Sequence, residues 1–181
     1  MTEELEVLKI VTQRLNKANI PYMVSGSMAA NYYAVPRMTR DIDIVIELKK
    51  IDVDKFVNLF QEDFYIDKEM IEAETLRGGM FNLIHNQYVT KIDFIIRKET
   101  DFQNATFLRR KKVLIGNSTM QFISAEDLVL AKLLWAKDSY SEMQLRDVEN
   151  LIETANNLDL KYIENWISKL DLKKIYKKVK P

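Results

Sequence analysis

Residues 25–46 read Ser25-Gly26-Ser27-Met28-Ala29-Ala30-Asn31-Tyr32-Tyr33-Ala34-Val35-Pro36-Arg37-Met38-Thr39-Arg40-Asp41-Ile42-Asp43-Ile44-Val45-Ile46. The end of this stretch alternates aspartate and isoleucine with the period of a strand, so Asp41 and Asp43 project from one face while Ile42 and Ile44 face the other. Two carboxylates set side by side repel each other unless a cation lies between them. Hard oxygen ligands with room left for phosphate oxygens are the set that Mg²⁺ takes in phosphoryl-transfer sites. At the other end, Gly26 lets the backbone turn sharply out of the apolar run Ile20-Pro21-Tyr22-Met23-Val24. Ser27 then opens a helical segment that reaches about Ala34, and Pro36 stops it. Free N–H groups at such a helix start, helped by the dipole and a serine hydroxyl, make an anion site. The stretch offers a phosphate cradle and a carboxylate pair on adjacent elements, and neither half is specific alone.

The flanks read as scaffold. Leu5, Leu8, Val11 and Leu15 recur at helical spacing over residues 3–18. Lys49 and Lys50 lead into an amphipathic helix whose apolar side is Ile51, Val53, Phe56, Val57 and Phe60. Residues 67–76 lean helical, and Gly78-Gly79 breaks whatever precedes it. Strands follow: Phe81 and Leu83 on one side, residues 88–96 on the other, around a turn at His85-Asn86-Gln87 that makes His85 a structural residue. The second strand carries Asp93 in an otherwise apolar run, where a carboxylate is seldom left unpaired. Lys91, Arg97 or the backbone would satisfy it; beside Asp41 and Asp43, a third metal-facing carboxylate is the better explanation.

Residues 111–115 and 119–123 form a hairpin around Gly116-Asn117. Ser124 then starts a strong helix, with Asp127 in capping-box position. The body of that helix holds a single charge, Lys132, which must snorkel out, pair with a carboxylate such as Asp147 or Glu126, or face a polar cleft. Further helices are expected at 141–155 and 159–170, with a short one at the end. The order implies an α+β fold: a mixed sheet with helices packed on it over residues 1–123, and a C-terminal helical bundle over 124–181, the two making either one compact domain or a small domain with a helical appendage.

With 47% apolar and 30% charged residues among 181, the chain is globular and long enough for a proper core. No run approaches the roughly 20 apolar residues of a membrane span. The acidic, amphipathic start is no secretory signal, so a cytoplasmic protein without membrane partners is expected. The absence of cysteine excludes disulfides, thiolate metal sites and a cysteine nucleophile, and one histidine excludes histidine-rich metal clusters. Basic and acidic residues balance at 27 each, so net charge does not announce a nucleic-acid binder. Lys173, Lys174, Lys177, Lys178 and Lys180 read first as a solvated helix end, with RNA or phosphate contact as the lesser reading.

Gly26-Ser27, then a short helix, then Asp41-Ile42-Asp43 on a strand and Asp93 on another, resembles the polymerase-beta-like nucleotidyltransferase superfamily. The Thr39-Arg40-Asp41-Ile42-Asp43 sequence and the Ser124-Ala125-Glu126-Asp127-Leu128 helix with its lysine are similar to the bacterial nucleotidyltransferase-like group that includes abortive-infection type toxins. The motifs lie between Ser25 and Asp93, and the last third matches loosely. The resemblance implies transfer of a nucleoside monophosphate from an NTP to an acceptor hydroxyl, with release of pyrophosphate. Asp41, Asp43 and Asp93 would be the catalytic and metal-binding residues for two Mg²⁺ ions, with Asp93 helping to deprotonate the acceptor. Gly26 and Ser27 would grip the triphosphate tail. Lys132 would contact nucleotide phosphates, and Arg37 and Arg40 rank below it for the same task. Arg146-Asp147 is similar to a polar pair near the C-terminal helices of related proteins. The acceptor would be RNA (tRNA included), a protein or a small molecule, and a toxin would have an antitoxin partner. The competing readings are another two-metal phosphoryl-transfer enzyme and a catalytically silent binding module.

Overall fold

The computed structural model describes residues 2–179. Thr2 caps the first helix, α1 (Glu3–Ala18): its hydroxyl accepts from the Leu5 N–H, and acidic residues fill the first turn where the helix dipole favours them. After β1 (Tyr22–Val24) and α2 (Gly26–Tyr33), the Asp-Ile alternation becomes β2 (Asp41–Ile46). A 3₁₀ turn leads to α3 (Val53–Phe60), followed by β3 (Phe64–Tyr65), α4 (Lys68–Arg77), β4 (Met80–His85) and β5 (Lys91–Ile96). The chain continues through α5 (Asp101–Leu108), β6 (Lys111–Ile115), β7 (Ser118–Phe122), α6 (Ala125–Ser139), α7 (Glu142–Thr154), α8 (Leu160–Lys169) and α9 (Lys173–Tyr176). The strands form one sheet in the order β3-β4-β5-β2-β1-β7-β6. It is mixed, since β2 runs antiparallel to β1 and parallel to β5, as the α+β reading requires.

Burial divides the central strands cleanly. Ile42, Ile44 and Ile46 are fully buried beside Ile92, Phe94 and Ile96, their register partners. Phe56 of α3 packs its ring 5.2 Å from Phe94 and 5.5 Å from Phe81, covering this face. Each such side chain contributes about 1.5–3 kcal/mol by leaving water. Because the side-chain period is two, that burial fixes the register and sends Asp41, Asp43, Lys91 and Asp93 to the opposite face. Tyr22 and Val24 of β1 lie beside Ile46 and Ile44, and Phe122 of β7 beside Val24, so they share the isoleucine face.

Several local expectations change. Ile51 is 87% exposed, because it falls in the 3₁₀ turn before α3 rather than on the helix's buried stripe. The strand expected from residue 88 begins at Lys91, since Val89 sits at φ 52°, a left-handed conformation no strand contains. His85 is not in the turn but closes β4, buried between Phe64 and Tyr88. Ser124 accepts from the Asp127 N–H as a capping residue should. The Asp127 carboxylate does not return the bond to the cap backbone. It takes the Ser124 hydroxyl at 2.7 Å, Arg109 Nε at 3.1 Å and the Tyr162 hydroxyl at 2.7 Å, and so fastens α6 to the end of α5 and to α8.

The C-terminal helices join the rest of the fold through α2: α6 packs on α2, α7 and α8, with Leu128, Val129, Leu130, Leu133 and Ala136 buried. Lys173, Lys174, Lys177 and Lys178 are exposed, and Lys180 lies outside the described residues. Among the described residues, no helix is long and apolar enough to cross a membrane.

Candidate active site

The parallel register of β2 and β5 sets Asp43 directly beside Asp93 and Asp41 beside Lys91. Asp41, at the strand start, is exposed, Asp43 is half-buried, and Asp93 is 7% exposed. Lys91 Nζ lies 2.8 Å from Asp93 Oδ2. The other oxygen, Oδ1, is buried without a hydrogen-bond partner. Burial, then the charges of Asp93 and Asp41, push the Asp43 carboxyl above its ordinary value, against the pull of Lys132 and Lys91. A hard divalent cation suits such a donor set, because it relieves the repulsion and gives the orphaned oxygen a partner. Among the described residues, no group of three or more His, Cys, Asp or Glu side chains is assembled as it would be around a metal ion. The three aspartates are neighbours, not a closed cage.

Gly26 is a structural necessity here. A Cβ on it would lie 1.9 Å from Asp43 Oδ2, and its φ is 59°. The Asp43 carboxylate therefore occupies the space a side chain would take, pressed against the start of α2. The Ser25 N–H is bonded to the Asp43 carbonyl at 2.9 Å, which locks β2 to the strand-helix turn. No side chain caps α2, so the N–H groups of its first turn remain open to an anion.

Ser27 and Lys132 meet in a network that sequence reasoning did not assemble. Arg37 donates to Ser27 Oγ at 2.7 Å and grips Asp147 with Nε at 2.8 Å and Nη2 at 3.0 Å. Lys132, 4% exposed, donates to the same Asp147 at 2.7 Å and to Gln144 Oε1 at 3.0 Å. It has taken the ion-pair alternative, with Asp147, while Glu126 pairs with Arg109. An ammonium has three N–H donors, so one remains uncommitted. Burial lowers the Lys132 pKa against the opposing pull of Asp147 and Asp43. Burial alone would raise Asp147, but the bonds from Arg37 and Lys132 outweigh it and hold it below the usual carboxylate range. Asp147 is among the partners the sequence offers Lys132; its bond to Arg37 is the part left unread, and Arg146, the arginine next to it, is exposed and takes no part.

Arg40 is placed elsewhere. It lines a cleft of about 1120 Å³ with Arg37, Met38, Thr39, Tyr32, Tyr88 and Phe122. Arg37 belongs to both this cleft and the Ser27–Asp147 network, so the segment that leads into Asp41 joins the two.

No protein-family model matches the sequence, and no curated protein is significantly similar to it. The fold has solved counterparts. One is an antigenic nucleotidyltransferase-like protein from Paracoccidioides brasiliensis, at TM-score 0.56 and 20% identity over 84% of this chain and 77% of that one. Another is the lincosamide antibiotic adenylyltransferase LnuA with lincomycin bound, at TM-score 0.54 and 17% identity over 83% and 96%. A third is ANT(2'')-Ia in complex with adenylyl-2''-tobramycin, at TM-score 0.55 and 13% identity over 97% and 99%. The chain has the nucleotidyltransferase-like fold.

Proposed function

We propose that the protein is a Mg²⁺-dependent nucleotidyltransferase, which moves a nucleoside monophosphate from an NTP to an acceptor hydroxyl and releases pyrophosphate. The observation that carries this reading is the register pair Asp43 and Asp93, with Gly26 and the uncapped start of α2 against Asp43. Asp41, Asp43 and Asp93 are the residues to hold Mg²⁺. Bound there, the ion neutralises phosphate charge and acidifies the attacking hydroxyl. Gly26 and Ser27 offer N–H groups and a hydroxyl to the triphosphate tail. Asp93 takes the acceptor proton as the new oxygen–phosphorus bond forms at the α-phosphate and the bond to the pyrophosphate oxygen breaks. Lys132, positioned by Asp147, lends positive charge beside Asp43, and Arg40 supplies a second cation from the segment before β2.

The solved counterparts with lincomycin and with adenylyl-2''-tobramycin favour ATP as donor and a small-molecule hydroxyl as acceptor. A second reading, a toxin-type enzyme with an RNA or protein acceptor and an antitoxin partner, rests on the resemblance carried by the Thr39-Arg40-Asp41-Ile42-Asp43 sequence and by Lys132 on the helix after the sheet; the ion pair of Lys132 with Asp147 does not itself point to that acceptor. The donor site is tested without knowing the acceptor, by calorimetric titration of a non-transferable ATP analogue with and without Mg²⁺. Wild type is expected to bind in a Mg²⁺-dependent way, and Asp43→Asn to lose that binding while staying folded. Folded wild type that binds no NTP analogue overturns the reading in favour of a catalytically silent binding module.

A further inference from the structure

The aspartates are not alone on their face. Strand alternation and the β2–β5 register put Lys91 beside Asp41 and one pleat from Asp93, so four charged side chains form a square: Asp41 and Asp43 on one strand, Lys91 and Asp93 on the next. The Lys91 ammonium sits 2.8 Å from Asp93 Oδ2. The other strong cation near these carboxylates, Lys132, is already engaged with Asp147. We propose that Lys91 is a built-in counter-cation of the carboxylate cluster, and that a divalent metal binds by displacing its ammonium from Asp93. The proposal rests on the reading of Asp41, Asp43 and Asp93 as metal ligands.

Three observations carry it. Lys91 neutralises the cluster only in part: three carboxylates face one ammonium, and Asp93 Oδ1 still lacks a partner. Even Asn82, opposite Asp93 on β4, makes no hydrogen bond to that oxygen. Next, the two partners differ in freedom. The Asp93 side chain is 10% exposed and the Lys91 side chain 42%, so the lysine enters from solvent on a flexible stem and can return there. Finally, Mg²⁺ bonds carboxylate oxygens at about 2.1 Å. An ion shared by Asp43 and Asp93 would lie within a few ångströms of an ammonium held on the same carboxylate, and at that distance like charges repel. The lysine is the one that can leave.

Two consequences follow in opposite directions. Lys91 competes with the metal and so weakens its binding; it also relieves carboxylate repulsion when no metal is present, and so stabilises the metal-free fold. A residue that only decorates the surface does neither. The test is calorimetric titration of Mn²⁺, without nucleotide, into wild type, Lys91→Met and Lys91→Arg, with thermal melts of each protein metal-free and Mn²⁺-loaded. Lys91→Met is expected to bind Mn²⁺ about tenfold more tightly, the scale set by removing one close like charge at a half-exposed site. It is also expected to melt lower than wild type when metal-free and to recover most of that difference on loading. Lys91→Arg, which keeps the charge, is expected to behave as wild type. If wild type and Lys91→Met bind Mn²⁺ equally, or Lys91→Met binds more weakly, the displacement is overturned while the metal site stands. If neither protein binds Mn²⁺, the metal site falls and the displacement with it. Binding by Lys91→Met alone supports the displacement in its strongest form.

Discussion

Gly26 shows how one side chain's absence shapes the site. The Asp43 carboxylate fills the volume a Cβ would need, and the left-handed backbone adds a cost of about 1–2 kcal/mol for any other residue. Gly26→Ala is therefore expected to lower stability by at least about that amount. It should also abolish Mg²⁺-dependent nucleotide binding, because Asp43 must swing away from its strand partner Asp93. Gly78→Ala is the control: its φ is 64°, but its Cβ would meet only Lys98 Cγ at 3.8 Å, so it should lose similar stability and keep nucleotide binding. Urea denaturation and analogue titration of both variants check the pair. The same scale shows what was legible. The aspartates and Gly26-Ser27 could be read directly, since a strand's alternation and a glycine before a helix are local signals. The partner of Asp93 could only be narrowed to Lys91, Arg97 or backbone; Arg97 is drawn off to Glu47 at 3.1 Å, a pairing set by tertiary register. Asp147 stands 110 residues from Arg37, and no local pattern joins them.

At the scale of elements, the β4–β5 connection brings the start of β5, and with it Lys91 and Asp93, to the site. His85 anchors it: its Nδ1 accepts from the Tyr88 N–H at 3.2 Å, and its ring stacks on Tyr88 and meets Phe64 edge-on. Burial pushes the His85 pKa below its ordinary value, opposed by Asp63, whose carboxylate lies 3.9 Å from Nε2 and is held by Arg14. The unfolded chain takes up this proton near pH 6.5, before the folded one does. Between the two values the unfolded state holds more protons, so stability falls as pH drops from about 6.5 toward the folded pKa and then levels off. His85→Asn keeps an acceptor for Tyr88 and removes the titration. It is expected to be less stable than wild type at neutral pH, through lost ring packing, and to show a flatter decline below about pH 6.5. Thermal midpoints across that range decide it; an unchanged slope in the variant would assign the decline to other groups. The elements themselves were legible where the pattern ran long, as in α1, β2, α6 and α8. The two-residue β3 and the eight-residue α5 were not, since β3 is too short to show a period and α5 buries only Phe102, Thr106 and Phe107.

For the whole molecule, the decisive question is whether the helices after residue 123 form a unit of their own. A composition-based division at that point is natural, because strands give way to helices there. Packing argues for one cooperative unit. Asp147 of α7 ties Arg37, in the segment before β2, to Lys132 of α6; Asp127 of α6 ties Arg109, at the end of α5, to Tyr162 of α8. The Tyr33 hydroxyl of α2 donates to the Ile123 carbonyl at 2.7 Å, and α2 packs on both α6 and α7. Removing residues 124–181 would strip α2 of the two helices that pack on it and Arg37 of its carboxylate partner. The full chain is therefore expected to unfold in a single calorimetric transition whose van't Hoff and calorimetric enthalpies agree. A chain ending at Ile123 is expected to show no cooperative melt. Two transitions in the full chain, or a sharp melt of the truncated one, would make residues 1–123 an independent domain. In the cooperative case the donor site and the core share one free energy, and nucleotide bound at Asp43 stabilises α6 and α7 as much as it does the sheet.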